Sequence, residues 1–200
     1  MQIKDLKKNK VPTFISVVNQ KGGVGKTTTV LNLATTVAAS GKKVLILDLD
    51  AQGNASTGLG ILSDERKLST YDFLMSNENI NNIIKNTSIE NLYIIPASQD
   101  LSSIDMDLEE MEKKATRLKN IFKKNNITEI NFDYIFMDCP PALNMLTVNS
   151  LALANFIIIP LQTEFFALEG LSQLMITIKQ IRKTLNQELK ILGILLTMYD

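Results

Sequence analysis

Between Val17 and Ala34 the chain reads VVNQKGGVGKTTTVLNLA. Gly22, Gly23 and Gly25 have no Cβ, so a backbone built from them can curl until its N–H groups converge on phosphate oxygens. The segment follows an apolar run and opens a helical pattern, which turns the positive N-terminal end of a helix starting near Lys26 toward the same point. Lys26 can reach the β- and γ-phosphates of a nucleotide and the Thr27 hydroxyl can coordinate Mg²⁺, with Lys21, Val24 and Thr28 completing the binding segment. The usual pattern places a glycine five residues before the Gly-Lys pair. Here that position is Gln20, and a second lysine, Lys21, follows it. A chance strand–helix turn would not combine three glycines with Gly-Lys-Thr-Thr in this context.

A magnesium ion beside phosphates needs carboxylates near the ends of neighbouring strands. LILDLDAQGN puts Asp48 and Asp50 at the end of one apolar run, and DYIFMDCPP puts Asp138 at the end of another, where a Walker B aspartate stands. Either set alone reads as a cap or turn former, the commoner use of Asp. Two strand-end sets beside a phosphate loop favour metal support, because open parallel sheets bind ligands at the carboxyl ends of their strands.

Composition narrows the chemistry further. The 200 residues suffice for one domain with a sizeable core, and 45% hydrophobic with 21% charged residues is a soluble globular composition. Lys+Arg and Asp+Glu both total 21, so net charge does not advertise a polyanionic partner. The single cysteine, Cys139, excludes an intrachain disulfide and a four-cysteine metal site. With no histidine in the chain, His-based triads and His-ligated zinc are excluded too, and Cys139 reads as a packing residue rather than a nucleophile. The start, MQIKDLKKNK, has no signal-peptide pattern, and the runs FIIIPL and ILGILL are too short to span a bilayer. A cytoplasmic location without membrane attachment is the expectation.

The elements that must carry these residues alternate. Runs at 13–19, 43–49, 91–97, 133–138, 155–161 and 190–197 read as strands, mostly apolar throughout, as strands covered on both faces are. Between them, 26–40, 106–124 and 168–185 carry apolar residues at helical spacing, and Gly41 stands where the first helix would end. The Asn-rich stretch 76–91 reads as a surface loop with a short helix. Strand, helix, strand, repeated, predicts an α/β fold: a doubly wound, mostly parallel sheet with helices on both faces. The expected organisation is a basic tail over 1–12 and one domain over 13–200. That domain stops just past a strand at LGILLTMYD and so is expected to lack its C-terminal end.

KGGVGKTT, DLDAQGNAS, MDCPPAL and PLQTEFFALEGL, in this order, resemble the ParA/Soj chromosome and plasmid partition ATPases, P-loop proteins of the deviant Walker A group related to MinD. The resemblance runs from about Phe14 to Asp200. It implies ATP and Mg²⁺ as ligands, and an ATP-dependent homodimer with two nucleotides sandwiched between the chains. Lys21 is then the signature lysine that reaches the partner's phosphates, and Gln20 is tolerated because this part of the loop faces the partner. Asp50 orients the attacking water, Asp138 holds Mg²⁺ through water, Asp48 supports the metal site, and Pro140 and Pro141 open a second switch. The resemblance further implies non-specific DNA binding on the nucleoid and a ParB-type centromere-binding partner that stimulates slow hydrolysis. In that family the DNA-contacting arginines lie beyond the matched region.

ATP ranks ahead of GTP by the same resemblance. At the terminal TMYD, Met198 replaces the lysine of the guanine-reading Thr-Lys-x-Asp pattern, so Asp200 reads as a turn or interface residue. Other readings remain open at this point: a MinD-like membrane-surface ATPase, which needs a C-terminal amphipathic helix that the matched region does not show, and a nucleotide-binding regulator without turnover. A cluster-sharing relative such as nitrogenase iron protein needs two cysteines per chain and is set aside.

Overall fold

Six of the apolar runs form parallel strands, close to the boundaries their sequence pattern predicts. In the computed structural model, which describes residues 11–76, 78–126, 131–164 and 167–199, the strands are β1 (Thr13–Val17), β2 (Val44–Asp48), β3 (Lys85–Asn86), β4 (Leu92–Ile95), β5 (Tyr134–Asp138), β6 (Phe156–Gln162) and β7 (Lys190–Thr197). They lie in one sheet in the order β3-β4-β2-β5-β1-β6-β7. Every pairing is parallel except that of β3 with β4.

Among the described residues the connecting α-helices are α1 (Lys26–Ala39), α2 (Asn54–Gly58), α3 (Thr70–Met75), α4 (Ile80–Ile83), α5 (Ile104–Asp107), α6 (Arg117–Lys124), α7 (Met145–Leu153) and α8 (Ala167–Thr184). Successive strand residues point to opposite faces, and both faces are buried. Val44, Ile46 and Phe136 pack with Val30, Ala34 and Ala38 of α1. Leu45, Leu47, Ile135 and Met137 pack on the other face with Leu118 and Phe122 of α6, Leu151 of α7 and Leu174 and Ile178 of α8. This two-sided cover is why the strands read as unbroken apolar runs. No helix among the described residues is long and apolar enough to cross a membrane.

Helix α1 stops as its sequence implies. Gly41 adopts φ +82 and its N–H returns to the Ala38 carbonyl at 2.9 Å, a left-handed turn that glycine makes without Cβ strain.

The helix expected over 106–124 is interrupted. Only α5 and α6 are helical there, joined by turns, a left-handed Lys113 at φ 59 and a 3₁₀ turn at Lys114–Thr116. Leu108, Leu118 and Ile121 still face the core, so the apolar stripe survives the break. The cause lies in α7: buried Asn149 donates to the Lys114 carbonyl at 2.7 Å and accepts from the Leu118 N–H at 3.0 Å. These bonds satisfy backbone groups that a continuous helix would pair internally.

The Asn-rich stretch contains the short helix α4, capped by the Asn79 side chain, and the two-residue edge strand β3, which its sequence did not announce. Residues 1–10, Phe165, Phe166 and Asp200, which carry the expectations for the basic tail, part of the PLQTEFFALEGL stretch and the terminal Asp, lie outside the described residues.

Candidate functional site

The carboxyl ends of β2, β5 and β1 are adjacent, and their register sets the site. Asp48 and Val17 both stand opposite Asp138. The loop from Val18 to Gly25 therefore leaves β1 directly beside the two aspartates. Gly23 and Gly25 adopt φ +74 and +87, where a side chain would be strained, and a Cβ on Gly22 or Gly23 would meet nothing within 4 Å. The loop thus presents bare backbone to open space, and Gly25 immediately precedes α1. Lys26 is buried and donates from Nζ to the Lys21 carbonyl at 2.9 Å. Burial lowers its pKa, opposed by the negative fields of Asp138 and Asp50.

The three aspartates differ sharply. Asp48 accepts at Oδ2 from the Ser56 N–H (2.9 Å) and hydroxyl (2.6 Å), and at Oδ1 from the Asp50 N–H (3.2 Å). Burial pushes its carboxyl up to about 6, and those hydrogen bonds oppose the shift. Asp138 is equally buried, yet neither carboxylate oxygen completes a hydrogen bond. Its carboxyl is pushed up to about 7 by burial first and by repulsion from Asp48 second, while the nearby Thr27 hydroxyl and Lys26 favour the charged form. Asp50 is half-buried and accepts at Oδ1 from the Gln52 N–H at 3.0 Å.

A buried carboxylate with both oxygens orphaned costs free energy unless something supplies a cation or donors. Thr27 beside it, bare loop backbone and Lys26 fit Mg²⁺ with a phosphate chain. Among the described residues no group of three or more His, Cys, Asp or Glu side chains could hold a metal by itself. An ion here would complete its shell with phosphate and water oxygens, as Mg²⁺ ordinarily does.

Cys139, next to Asp138, is fully buried between Ser16 (3.3 Å) and Ser150 (3.2 Å), and the two serine hydroxyls also contact each other. Burial pushes its thiol up to about 11, so it is neutral and packs, in line with its sequence reading.

Lys21 forms an ion pair with Glu164, which follows β6. Gln20 turns toward its own chain, donating to the Gly170 carbonyl at 2.7 Å. Ser56, Glu164, Asn19 and Thr197 were not singled out in the sequence. Asn19 donates to the Pro160 carbonyl at 2.7 Å, and Thr197 to the Val24 carbonyl at 3.0 Å. Glu164 carried a signal, since it lies inside PLQTEFFALEGL. Ser56 carried the same kind of signal as the last residue of DLDAQGNAS, although α2 is too short to show a period.

Known proteins share this sequence pattern and this fold. A family model described as an AAA domain matches residues 12–191. The chromosome partitioning protein ParA of Caulobacter vibrioides strain NA1000 is 46% identical over 186 residues, which is 93% of this chain and 69% of that protein. The chain belongs to the ParA/Soj family. Soj of Bacillus subtilis, a sporulation initiation inhibitor protein, is 45% identical over 94% of this chain and 73% of its own length. Among solved structures, a Mycobacterium smegmatis cobyrinic acid a,c-diamide synthase with bound ADP and magnesium superposes with a TM-score of 0.89 at 34% identity, covering 95% of this chain and 76% of that one. A Borrelia burgdorferi plasmid partition protein superposes at 0.81 with 31% identity, over 96% and 80% of the two chains. The ParA/Soj sheet, a P-loop fold of mostly parallel strands, is thus the scaffold that brings Lys26, Thr27, Asp48, Asp50 and Asp138 to one edge.

Proposed function

We propose that this chain is an ATP-driven DNA-partition switch acting in the cytoplasm, on the nucleoid. Mg-ATP binding drives a sandwich homodimer that binds DNA non-specifically, and a ParB-type centromere-binding protein stimulates an otherwise slow hydrolysis that resets it. Membership of the ParA/Soj family supports partition as the task. The observation that carries the chemistry is the orphaned, buried Asp138 carboxylate beside Thr27, Lys26 and the bare glycine loop.

In this reading the loop N–H groups from Gly22 to Thr28 and the Lys26 ammonium bind the β- and γ-phosphates. Thr27 and, through water, Asp138 hold Mg²⁺, which supplies charge neutralisation on the phosphate oxygens. Asp48 supports this arrangement from behind, through the bonds it accepts from Ser56 and Asp50. Asp50 stands at the half-exposed edge and orients the water that attacks the γ-phosphoryl group, giving ADP and phosphate. Lys21 acts across the dimer on the partner's phosphates, as an arginine finger does, and must leave Glu164 to do so.

Light scattering with Mg²⁺ plus ATP, GTP, ADP or no nucleotide tests the switch. A dimer with ATP alone is expected, made long-lived by Asp50→Ala and abolished by Lys21→Ala while that variant still binds nucleotide as a monomer. A monomer under every condition, or hydrolysis at the parental rate by Asp50→Ala, would refute the assigned roles.

A further inference from the structure

Where a phosphate loop ordinarily begins with glycine, this chain places the half-buried side chain of Gln20, and that side chain makes a specific contact. Its Nε2 donates at 2.7 Å to the carbonyl of Gly170, in the first turn of α8. The residues on either side hold the same region: Asn19 donates to the Pro160 carbonyl of β6 at 2.7 Å, and Lys21 pairs with Glu164. Three consecutive loop residues therefore grip the stretch between 160 and 170 through their side chains.

Of the three, the Gln20 contact is the one made to a helix. A glutamine has the reach for it, whereas asparagine is one methylene shorter and glutamate would present an oxygen to a carbonyl oxygen. Gly170 leaves its carbonyl open to the amide. A Cβ there would lie 3.5 Å from Nε2, an ordinary contact, so the glycine eases the approach without being forced by it.

We infer that Gln20 is a positioning residue that couples the phosphate loop to α8: its amide holds the loop backbone carrying Lys21 at a set distance from the first turn of that helix. A change in loop conformation on nucleotide binding then passes to α8, and a displacement of α8 passes back to Lys21. The consequence for turnover rests on the ATPase reading given above; the mechanical coupling does not.

Hydrogen exchange on the parent, Gln20→Met and Gln20→Glu separates the two. In the nucleotide-free protein, both substitutions raise exchange of the amides at 171–174, which donate to the first-turn carbonyls of α8, severalfold. In the parent, Mg-ADP slows exchange in the loop and at those amides; in Gln20→Met it slows only the loop, with ADP affinity and thermal midpoint unchanged. Under steady-state hydrolysis, kcat of Gln20→Met falls roughly 3–10-fold, the range of one neutral hydrogen bond, and KM for ATP stays within about twofold. Unchanged α8 exchange in the nucleotide-free variants would overturn the inference, as would parallel losses of kcat, ADP affinity and thermal midpoint, which mark general damage. If the parent binds or hydrolyses no nucleotide, the ATPase reading fails while the nucleotide-free exchange still decides the role of Gln20.

Discussion

Asp48 and Asp138 stand opposite each other in register at the ends of β2 and β5, with exposures of 0% and 1%, yet one is saturated with hydrogen bonds and the other has none. Both carboxyls are pushed up by burial, Asp48 to about 6 and Asp138 to about 7. At Asp48 the folded chain supplies the donors itself, from Ser56 and the Asp50 backbone, and so ties the end of β2 to α2. At Asp138 it offers only the nearby Thr27 hydroxyl and the field of Lys26, completes no hydrogen bond, and keeps a costly group in place. Two residues of the same type, on neighbouring strands and at the same depth, thus divide into one that holds the fold and one that waits for a ligand. Sequence spacing alone puts both beside the loop and cannot tell them apart.

The largest effect that tests this division is on hydrolysis. Asp138→Ala is expected to lower the rate of phosphate release from ATP on the order of 100-fold, because it removes the group left for the metal. Asp48→Ala acts through neighbours and is expected to cost about 10-fold, the lower range for partners that orient a metal site. Rates must be compared per folded molecule. If Asp48→Ala costs more than Asp138→Ala on that basis, the assignment of supporting and ligand-facing roles is reversed.

Stability without nucleotide should move the opposite way. Asp48→Ala strands the buried Ser56 N–H and is expected to lose about 1–3 kcal/mol in urea unfolding. Asp138→Ala removes a buried charge that completes no hydrogen bond and is only partly offset by Lys26, and at pH 8 it is expected to be neutral or to gain about 1 kcal/mol. The pH dependence has a definite sign. A carboxyl raised from 3.8 to about 7 in the folded state binds protons there more readily than in the unfolded chain. Its contribution to parental stability is therefore fully present below the unfolded value and is lost as pH rises through 7. The advantage of Asp138→Ala over the parent should accordingly be greatest at pH 8 and shrink toward pH 6. An advantage that grew on acidification would show that the Asp138 carboxylate finds a partner in solution.

What sequence could reveal follows the range of the forces involved. The six parallel strands were legible because burial on both faces writes itself into consecutive apolar residues. The phosphate loop was legible because left-handed turns at Gly23 and Gly25 and a helix starting at Lys26 are local demands on local residues. The break between α5 and α6 was not, because what replaces the missing helical bonds is Asn149, which meets Lys114 and Leu118 from 35 and 31 residues away. Asp48, Asp50 and Asp138 could be placed beside the loop, yet the difference between them depends on Ser56, eight residues from Asp48 and in a helix of one turn. Glu164 and Gly170 become neighbours of Lys21 and Gln20 only when β6 packs beside β1.

The substitution expected to change hydrolysis least is the most direct probe of what satisfies Asp48. The Ser56 hydroxyl donates to Asp48 Oδ2 at 2.6 Å and accepts from the Ala97 N–H at 3.0 Å, joining α2 to the end of β4. Ser56→Ala keeps the backbone donor to Asp48 but removes one of its three hydrogen bonds and leaves the Ala97 N–H without this acceptor. The expected cost is about 1–2 kcal/mol, with hydrolysis per folded molecule nearly unchanged. Losing a donor that favours the charged form must also raise the Asp48 pKa further, while the Asp138 carboxyl, repelled less by an Asp48 that stays neutral longer, is not raised. Carboxyl titrations followed by NMR on the nucleotide-free protein would show an upward shift confined to Asp48. Equal shifts at both aspartates would mean that the two carboxyls titrate as one unit, and that their different surroundings do not separate their roles.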